Sequence, residues 1–383
     1  MKHSGKPRAV LTLVQYYLPG YKAGGPITTV SNVVSVLGGE YRFKIVTSDR
    51  DLGDSTPYNL PLGTWNEGVA NTLYLKKLSS KKFWTIMRET SYDVLYINSF
   101  FSYSFSIRPL ILHILRCSRS GKRVVVAPRG EFTSGALSVK ASKKKMYLAV
   151  ARFLGFYRFV VWQASSTQEA SEIRRIFGSK AEIVIAPDLA STVHFPDIFP
   201  FRDKSAGCLN ILFLSRISPM KNLKFALNSL RGINARITFR IRGPIEDSNY
   251  WLECKRLIDS LPSNITAVYG GEIPHCEIGE ELQRAHLFYL PTLGEGFGHA
   301  IFEAMQYGCP VLVSDRTPWN DIEERHAGFV RRLQYPNEFV DALKNAAEMD
   351  FEEFERLSRS AFQYTREYQR YSRAEEGYRI LFD

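Results

Sequence analysis

Short β-rich runs alternate with helical periodicities along most of the chain, break once, and then alternate again. In the first half, runs 10–14, 43–47, 72–75, 94–97, 123–127, 159–164 and 182–185 read as strands. Helical spacing recurs between several of them, at 27–37, 83–90, 107–118, 138–153 and 167–177. The second half reads as strand 211–214, helix 222–230, strand 236–241, helix 250–261, strand 265–269, helix 277–285, strand 287–290, helix 298–307 and strand 311–314. Parallel neighbours need a crossover, usually a helix, so this alternation predicts parallel sheets with helices on both faces. A chain of 383 residues exceeds one ordinary core, and the fold class expected is α/β with two doubly wound, Rossmann-like domains. The break falls at 187–207, where Pro187, Pro196 and Pro200 interrupt any periodicity. The expected boundaries are a first domain at 1–190, a linker at 191–206, a second domain at 207–360, and a helical segment at 361–383 that returns to the first domain.

A hydrophobic fraction of 45% with 23% charged residues suits a globular chain rather than a disordered one. Cys117, Cys208, Cys254, Cys276 and Cys309 are scattered without C-x-x-C spacing, which favours a reducing compartment and argues against a metal cage. No apolar targeting core precedes the strand-like run at 9–14, and no uncharged apolar run reaches the roughly 18 residues of a membrane span. The location expected is cytoplasmic. The net charge of +11 is concentrated: Arg116, Arg119, Lys122, Arg123, Arg129, Lys140, Lys143, Lys144, Lys145, Arg152 and Arg158 are opposed in their window only by Glu131. An aromatic-rich apolar stretch, 146–162, follows the lysines directly. Basic charge beside such a stretch suits a surface resting on anionic lipid, with Lys140, Lys143, Lys144, Lys145 and Arg152 as contacts. It equally suits a solvated helix face followed by a core helix.

Several motifs fall at strand ends, where open α/β sheets bind ligands. Gly24-Gly25-Pro26 opens the helix at 27–37; proline suits a first helical turn, and the positive helix end attracts anions. The full G-x-G-x-x-G fingerprint of dinucleotide binding is absent. Arg216 and Lys221 lie at a strand-to-helix junction, where a planar fork and a point charge together suit a diphosphate. Gly243 in Ile241-Arg-Gly-Pro-Ile245 and Ile273 in Tyr269-Gly-Gly-Glu-Ile-Pro274 mark the next two strand ends, either as a slot for a flat base or as simple turns. Asn98 and Arg129, with Glu131, follow two strands of the first half. Asp49-Arg-Asp51 resembles a metal-holding D-x-D but has no third ligand in sequence, and no metal is expected. Glu295 and Glu303 bracket Gly296, Phe297 and Gly298, and the glycines let a ligand approach the backbone. Two carboxylates around a glycine-rich helix start suit a ligand that carries hydroxyls as well as phosphate.

Arg216, Lys221, the Gly24-Gly25 loop, Pro291-Thr-Leu-Gly-Glu-Gly-Phe-Gly and Glu303-Ala-Met-Gln-Tyr-Gly-Cys-Pro-Val occur in an order and spacing that resemble family four of the retaining glycosyltransferases, strongest from 211 to 330. The resemblance implies the GT-B fold, two Rossmann-like domains facing across a cleft. It implies that Glu303 accepts the ribose hydroxyls of a nucleotide-sugar donor and that Glu295, with amides near Phe297 and Gly298, holds the donor sugar. Arg216 and Lys221 clamp the diphosphate, and Gly25 closes over it. The stretch 314–322 lines the donor pocket. Many relatives carry histidines where Arg129 stands and near Asn98, so Asn98, Arg129 and Glu131 are left as acceptor-side candidates, with Arg129 a grip for phosphate.

The reaction implied is transfer of a sugar from a UDP-, GDP- or ADP-sugar to an acceptor hydroxyl with retained configuration, catalysed by Arg216, Lys221 and Glu295, with no cofactor and no metal. A glycan or lipid-linked acceptor at the inner face of the cell membrane is the expected partner, and no nucleic acid. Two alternatives stay open on the sequence: a nucleotide-sugar epimerase or phosphorylase on the same architecture, and a non-catalytic basic protein that binds membrane or nucleic acid.

Overall fold

The computed structural model describes residues 7–117, 121–138, 141–190, 196 and 198–383. They form two compact units, 1–189 with 372–383, and 190–371. The first unit contains β1 (Ala9–Val14), α1 (Gly25–Leu37), β2 (Arg42–Ser48), β3 (Trp65–Asn66), β4 (Asn71–Leu75), α2 (Ser80–Glu89), β5 (Val94–Asn98), α3 (Arg108–Cys117), β6 (Arg123–Ala127), α4 (Ser134–Ser138), α5 (Ala141–Phe153), β7 (Val161–Ala164), α6 (Thr167–Phe177) and β8 (Glu182–Ile185). Their order in the sheet is β3-β4-β2-β1-β5-β6-β7-β8. Every pairing is parallel except the short edge strand β3 on β4.

The second unit contains β9 (Cys208–Leu214), α7 (Leu223–Leu230), β10 (Arg236–Arg242), α8 (Ser248–Asp259), β11 (Ile265–Tyr269), α9 (Ile278–Arg284), β12 (Leu287–Leu290), α10 (His299–Gln306), β13 (Val311–Ser314), β14 (Gly328–Arg331), α11 (Pro336–Glu348) and α12 (Phe351–Tyr371). The all-parallel sheet runs β11-β10-β9-β12-β13-β14. This is the doubly wound α/β arrangement that the alternation predicts. The sheet is covered on both sides, which is why β12 and β13 are buried along their whole length and why they read in sequence as unbroken apolar runs. In both units the strand order reverses beside the first strand, between β1 and β5 and between β9 and β12. That reversal opens a crevice at the carboxyl ends of the strands.

The structure adds elements that periodicity did not deliver. The strand β14 and the helix α11 follow β13. The helix was legible: Pro336 starts it, and buried Phe339, Ala342, Leu343, Ala346 and Ala347 repeat at helical spacing. The expected helix at 138–153 corresponds to α5, and α4, which was not anticipated, precedes it. The segment read as linker is covered in part: residues 198–206 pack with the second unit, and Arg202 and Lys204 are buried there. Arg202 donates to the carbonyls of Leu282 at 3.2 Å, Gln283 at 3.1 Å and Gly308 at 3.0 Å, and to that of Tyr307. Those carbonyls end α9 and α10, where a cation meets both unsatisfied oxygens and the negative helix pole. Lys204 donates to the carbonyls of Ala347 at 3.0 Å and Met349 at 2.9 Å, at the end of α11. At the other end of the chain, residues 361–371 stay with the second unit as part of α12. The helix α13 (Ala374–Phe382) belongs to the first, where Phe382 packs edge-on against Tyr41, Phe43 and Tyr96.

Two buried histidines make stability depend on pH. His286 accepts from the Asn210 amide at Nδ1 (3.1 Å) and donates from Nε2 to the Asp203 carbonyl (2.9 Å), so it is held as a neutral tautomer. Burial lowers its pKa to about 4, and burial with Lys122 nearby lowers that of His113 to about 4. The unfolded chain takes up these protons near pH 6.5, so stability is present above that value and is lost as pH falls towards 4. A fully expressed shift corresponds to roughly 3 kcal/mol per site. The urea midpoint should fall over that window, and His286→Gln should flatten the component from the second unit.

Candidate functional site

The second unit holds four of the charged residues singled out in the sequence, Arg216, Lys221, Glu295 and Glu303. After β9 the chain leaves through Ser215 and Arg216, makes a short turn at Pro219–Lys221, and enters α7 through Asn222. After β12 it runs from Pro291 to Gly298 and enters α10. These two loops are tied together. Asn222 Nδ2 donates to the Pro291 carbonyl at 3.0 Å, the Leu293 amide to Met220 at 2.8 Å, and Lys221 Nζ to the Glu295 carboxylate. The Lys221–Glu295 pair is nearly enclosed.

Glycine is required at two points. Gly298 caps α10 at φ +80°, in the left-handed region. Gly243 lies at φ +129°, and a Cβ there would stand 2.0 Å from the Ser215 carbonyl oxygen. It is therefore explained by the close approach of the β9 and β10 ends, independently of any base slot. The Ile273 side chain is buried in the core of the unit, so only its backbone can face a ligand.

The loop between Glu295 and Gly298 is backed by aromatic packing. Phe297 meets Trp319 edge-on at 4.9 Å, and Trp319 stacks on Phe302 at 5.3 Å. Trp319 Nε1 donates to the Phe297 carbonyl, and Tyr368 of α12 closes the group against Trp319 at 5.1 Å. The stretch 314–322 expected to line a pocket thus supports the loop from behind: Ser314, Thr317, Trp319 and Ile322 are all buried. The Glu295 amide donates to the Arg316 carbonyl at 3.1 Å, which pins the carboxylate's own backbone.

Each functional charge already has an opposite partner. Arg216 pairs with Glu246 at 3.0 Å, Lys221 with Glu295, and Glu303 Oε1 with His275 Nε2 at 3.1 Å. The hydrogen bond to Glu303 raises the His275 pKa above 6.5. His275 and Glu246 were missed in the sequence. His275 stands two residues beyond Ile273 at the same strand end, so position alone could have flagged it.

The first unit's candidates behave differently. Arg129 is largely enclosed and held by the Asp188 carboxylate, the Tyr96 hydroxyl and Asn98 Oδ1, the last at 2.7 Å from Nη2. Asp188 also accepts from Thr29 Oγ1 of α1 at 2.8 Å. Tyr96 donates to Gln163, whose Nε2 donates to Tyr378 of α13 at 2.8 Å. Arg129 is thus the centre of a network within its own unit, and each of these partners belongs to that unit. Its φ of +56° is held by these bonds. Glu131 Oε2 accepts from the amides of Phe100 and Phe101, each at 2.8 Å, and burial raises its pKa. Asn98 lends its oxygen to Arg129, while its buried Nδ2 has no partner among the described residues.

Gly24, at φ +66°, caps α1, and Gly25 and Pro26 begin it. The D-x-D carboxylates serve the loop: Asp49 pairs with Arg50 at 2.8 Å, and Asp51 accepts from the amides of Tyr21 at 2.6 Å and Lys22 at 2.9 Å. Among the described residues, no cluster of three or more His, Cys, Asp or Glu could hold a metal. Of the basic cluster, Lys143, Lys145 and Arg152 are exposed and Lys140 lies outside the described residues. Lys144 turns inward, donating to the Ala136 carbonyl at 2.6 Å and lying 4.9 Å from the Phe101 ring centre. It is not a surface contact.

Residues 197–364 match the model of the family described as glycosyl transferases group 1. No curated protein matches the chain. Solved structures similar in fold include a sucrose-phosphate synthase from Thermosynechococcus elongatus (14% identity, 95% of this chain and 98% of that one, TM-score 0.68). The HepE protein of Anabaena, in complex with UDP and glucose, is similar at 14% identity over 97% of this chain and 98% of that one, with TM-score 0.69. A UDP-forming α,α-trehalose-phosphate synthase from Burkholderia xenovorans is similar at 10% identity over 98% of this chain and 99% of that one, with TM-score 0.70. The shared fold is GT-B.

The Arg129 network makes a direct prediction. Arg129→Ala leaves Asp188 buried without its counter-charge, a loss of about 3–5 kcal/mol. The urea midpoint should drop accordingly, and Arg129→Lys should recover only part. A ligand-gripping arginine would instead leave stability unchanged.

Proposed function

We propose that this chain, whose residues 197–364 match the group 1 glycosyl transferase model, moves a sugar from a nucleotide diphosphate donor to an acceptor hydroxyl with retention of anomeric configuration. The observation that carries this reading is the Lys221–Glu295 pair, which joins the loops after β9 and β12, with Arg216 on the first of those loops and Glu303 on the helix that follows the second. Arg216 and Lys221 are assigned to the diphosphate. Glu303 is assigned to the ribose hydroxyls, and Glu295 to hydroxyls of the donor sugar.

The leaving nucleoside diphosphate gains negative charge as the glycosidic bond breaks. Preorganised cations stabilise that charge at the moment it develops. The acceptor oxygen attacks on the face the diphosphate leaves, and a diphosphate oxygen takes the acceptor's proton. Configuration is kept, and no enzyme base or metal is required. Glu295 is then an anchor rather than a nucleophile, consistent with its tight pairing to Lys221. The acceptor is assigned as a glycan or lipid-linked glycan, in surface-polysaccharide or related assembly, with the enzyme at the inner membrane face.

Complexes of similar fold with UDP and glucose make UDP-glucose the first donor to test, before GDP- and ADP-sugars. A bound donor at a hundred times its dissociation constant stabilises by about 2.7 kcal/mol, readable as a thermal shift. No shift with any nucleotide sugar would remove the proposal. Arg216→Ala or Lys221→Ala should lower turnover by about two to three orders of magnitude with the fold intact. The product's anomeric coupling, read by NMR, should match that of the donor sugar.

Donor affinity should also depend on pH. His275 is more basic folded than unfolded, so its ionic hold on Glu303 is complete below pH 6.5 and is lost as pH rises through the raised value. Ribose hydroxyls need the same carboxylate oxygens. Calorimetric donor binding should therefore tighten as pH rises through that window, and His275→Gln should make it nearly independent of pH.

A further inference from the structure

The helix α5 has two apolar faces, and only one of them is used by the fold. Ala151 is buried, and Tyr147 and Leu148 pack against the first unit's core. On the opposite side Met146 is 66% exposed, Val150 47% and Phe153 89%. These three recur at i, i+4 and i+7, the spacing of a single helix stripe. The stripe continues into Leu154, 53% exposed, and the turn beyond it presents Phe159 at 79%. Large apolar side chains scattered singly on a surface are ordinary; a row that ends in two nearly bare phenylalanines marks a contact surface.

The charges around the stripe say what it contacts. Lys143 and Lys145 are exposed at its start, Arg152 and Arg158 at its end. No Asp or Glu occurs from 141 to 160. A second copy of the chain meeting this face about a two-fold axis would set these cations against one another. An anionic bilayer surface satisfies both features: headgroups meet the four cations, and the acyl boundary takes the apolar stripe. Long basic side chains reach the headgroups while their stems lie along the apolar layer. With 13 residues, α5 is far shorter than the roughly 20 needed to span, so the mode is in-plane.

We propose that α5 and the following turn form an interfacial anchor that lies in the plane of an anionic membrane, inserting Met146, Val150, Phe153, Leu154 and Phe159 while Lys143, Lys145, Arg152 and Arg158 hold the headgroups. The proposal gives an element and a depth of contact to the membrane location assigned above. It stands on this surface alone, so it survives if the transfer reading fails.

The test is flotation of the full chain with phosphatidylcholine vesicles, with and without phosphatidylglycerol. The wild type should float with the anionic vesicles, weakly with the neutral ones, and less as salt rises. Phe153→Ser with Phe159→Ser should lower the partition constant by at least about tenfold even at low salt, because each buried phenylalanine contributes that much or more. Lys143→Gln, Lys145→Gln and Arg152→Gln together should abolish the preference for anionic lipid. Unchanged thermal midpoints and an unchanged donor-induced shift would show that the variants keep their fold and donor site. The proposal is overturned if anionic vesicles do not retain the wild type, or if the two-phenylalanine variant floats equally well. It is also overturned if the wild type is a dimer that Phe153→Ser dissociates, or if nucleic acid displaces it from the vesicles.

Discussion

The N-terminus of α10 can present Glu295, Gly298 and Glu303 in fixed relation only because the helix is held at both ends. At its far end the Arg202 guanidinium is buried on the carbonyls of Tyr307 and Gly308, and on those of Leu282 and Gln283 at the end of α9. Among the described residues no carboxylate is its partner; helix-end carbonyls hold it, and burial lowers its pKa. At the near end, Phe297 is clamped by Trp319 through ring packing and a hydrogen bond to its carbonyl. A helix terminus attracts anions through partial charges that decay within a turn, so its placement decides whether the attraction is useful.

The same economy governs the charges in the crevice. Lys221 is matched by Glu295, Arg216 by Glu246 and Glu303 by His275. A ligand with phosphate alone would displace carboxylates from the cations and leave those carboxylates without partners. A ligand with hydroxyls alone would do the reverse. On the proposed assignment a nucleotide sugar would offer acceptor oxygens to Arg216 and Lys221 and donor hydroxyls to Glu295 and Glu303, so both halves of the Lys221–Glu295 pair would find new partners together. Burial makes this matter most for the enclosed Lys221–Glu295 pair, where an unpartnered charge is costly.

The doubly wound architecture was legible because helix and strand periods alternate, and the crevice residues because they sit where strands end. What sequence did not show is which charges the fold uses for itself. Arg129 and Arg216 look alike in sequence, each just past a strand. Arg129 meets Asp188, 59 residues further on, and is largely enclosed; Arg216 meets Glu246 and stays partly exposed. Arg202 and Lys204 fell in a proline-marked stretch and looked like linker cations, yet their partners are helix ends about 80 to 150 residues away. Lys143, Lys144 and Lys145 read as one cluster, but successive helical residues point about 100° apart, which sends the middle one inward. Such pairings are set by tertiary contacts, which leave no local pattern.

The two units therefore use buried polarity for opposite ends. In the first, Arg129, Asp188, Gln163 and Tyr378 join α1, the strand ends and α13 into one network, so that the C-terminal helix becomes part of the unit's interior. Asn98 ends β5 and Arg129 follows β6, and both are bonded to other side chains of the unit. In the second, the buried cations sit behind the sheet's working end, at helix C-termini, and the strand-end charges are left in exchangeable pairs. Groups committed to several buried partners resist exchange with a ligand, whereas a pair with one partner each can trade it. On that physical ground the second unit's crevice is the one suited to taking and releasing a highly charged donor.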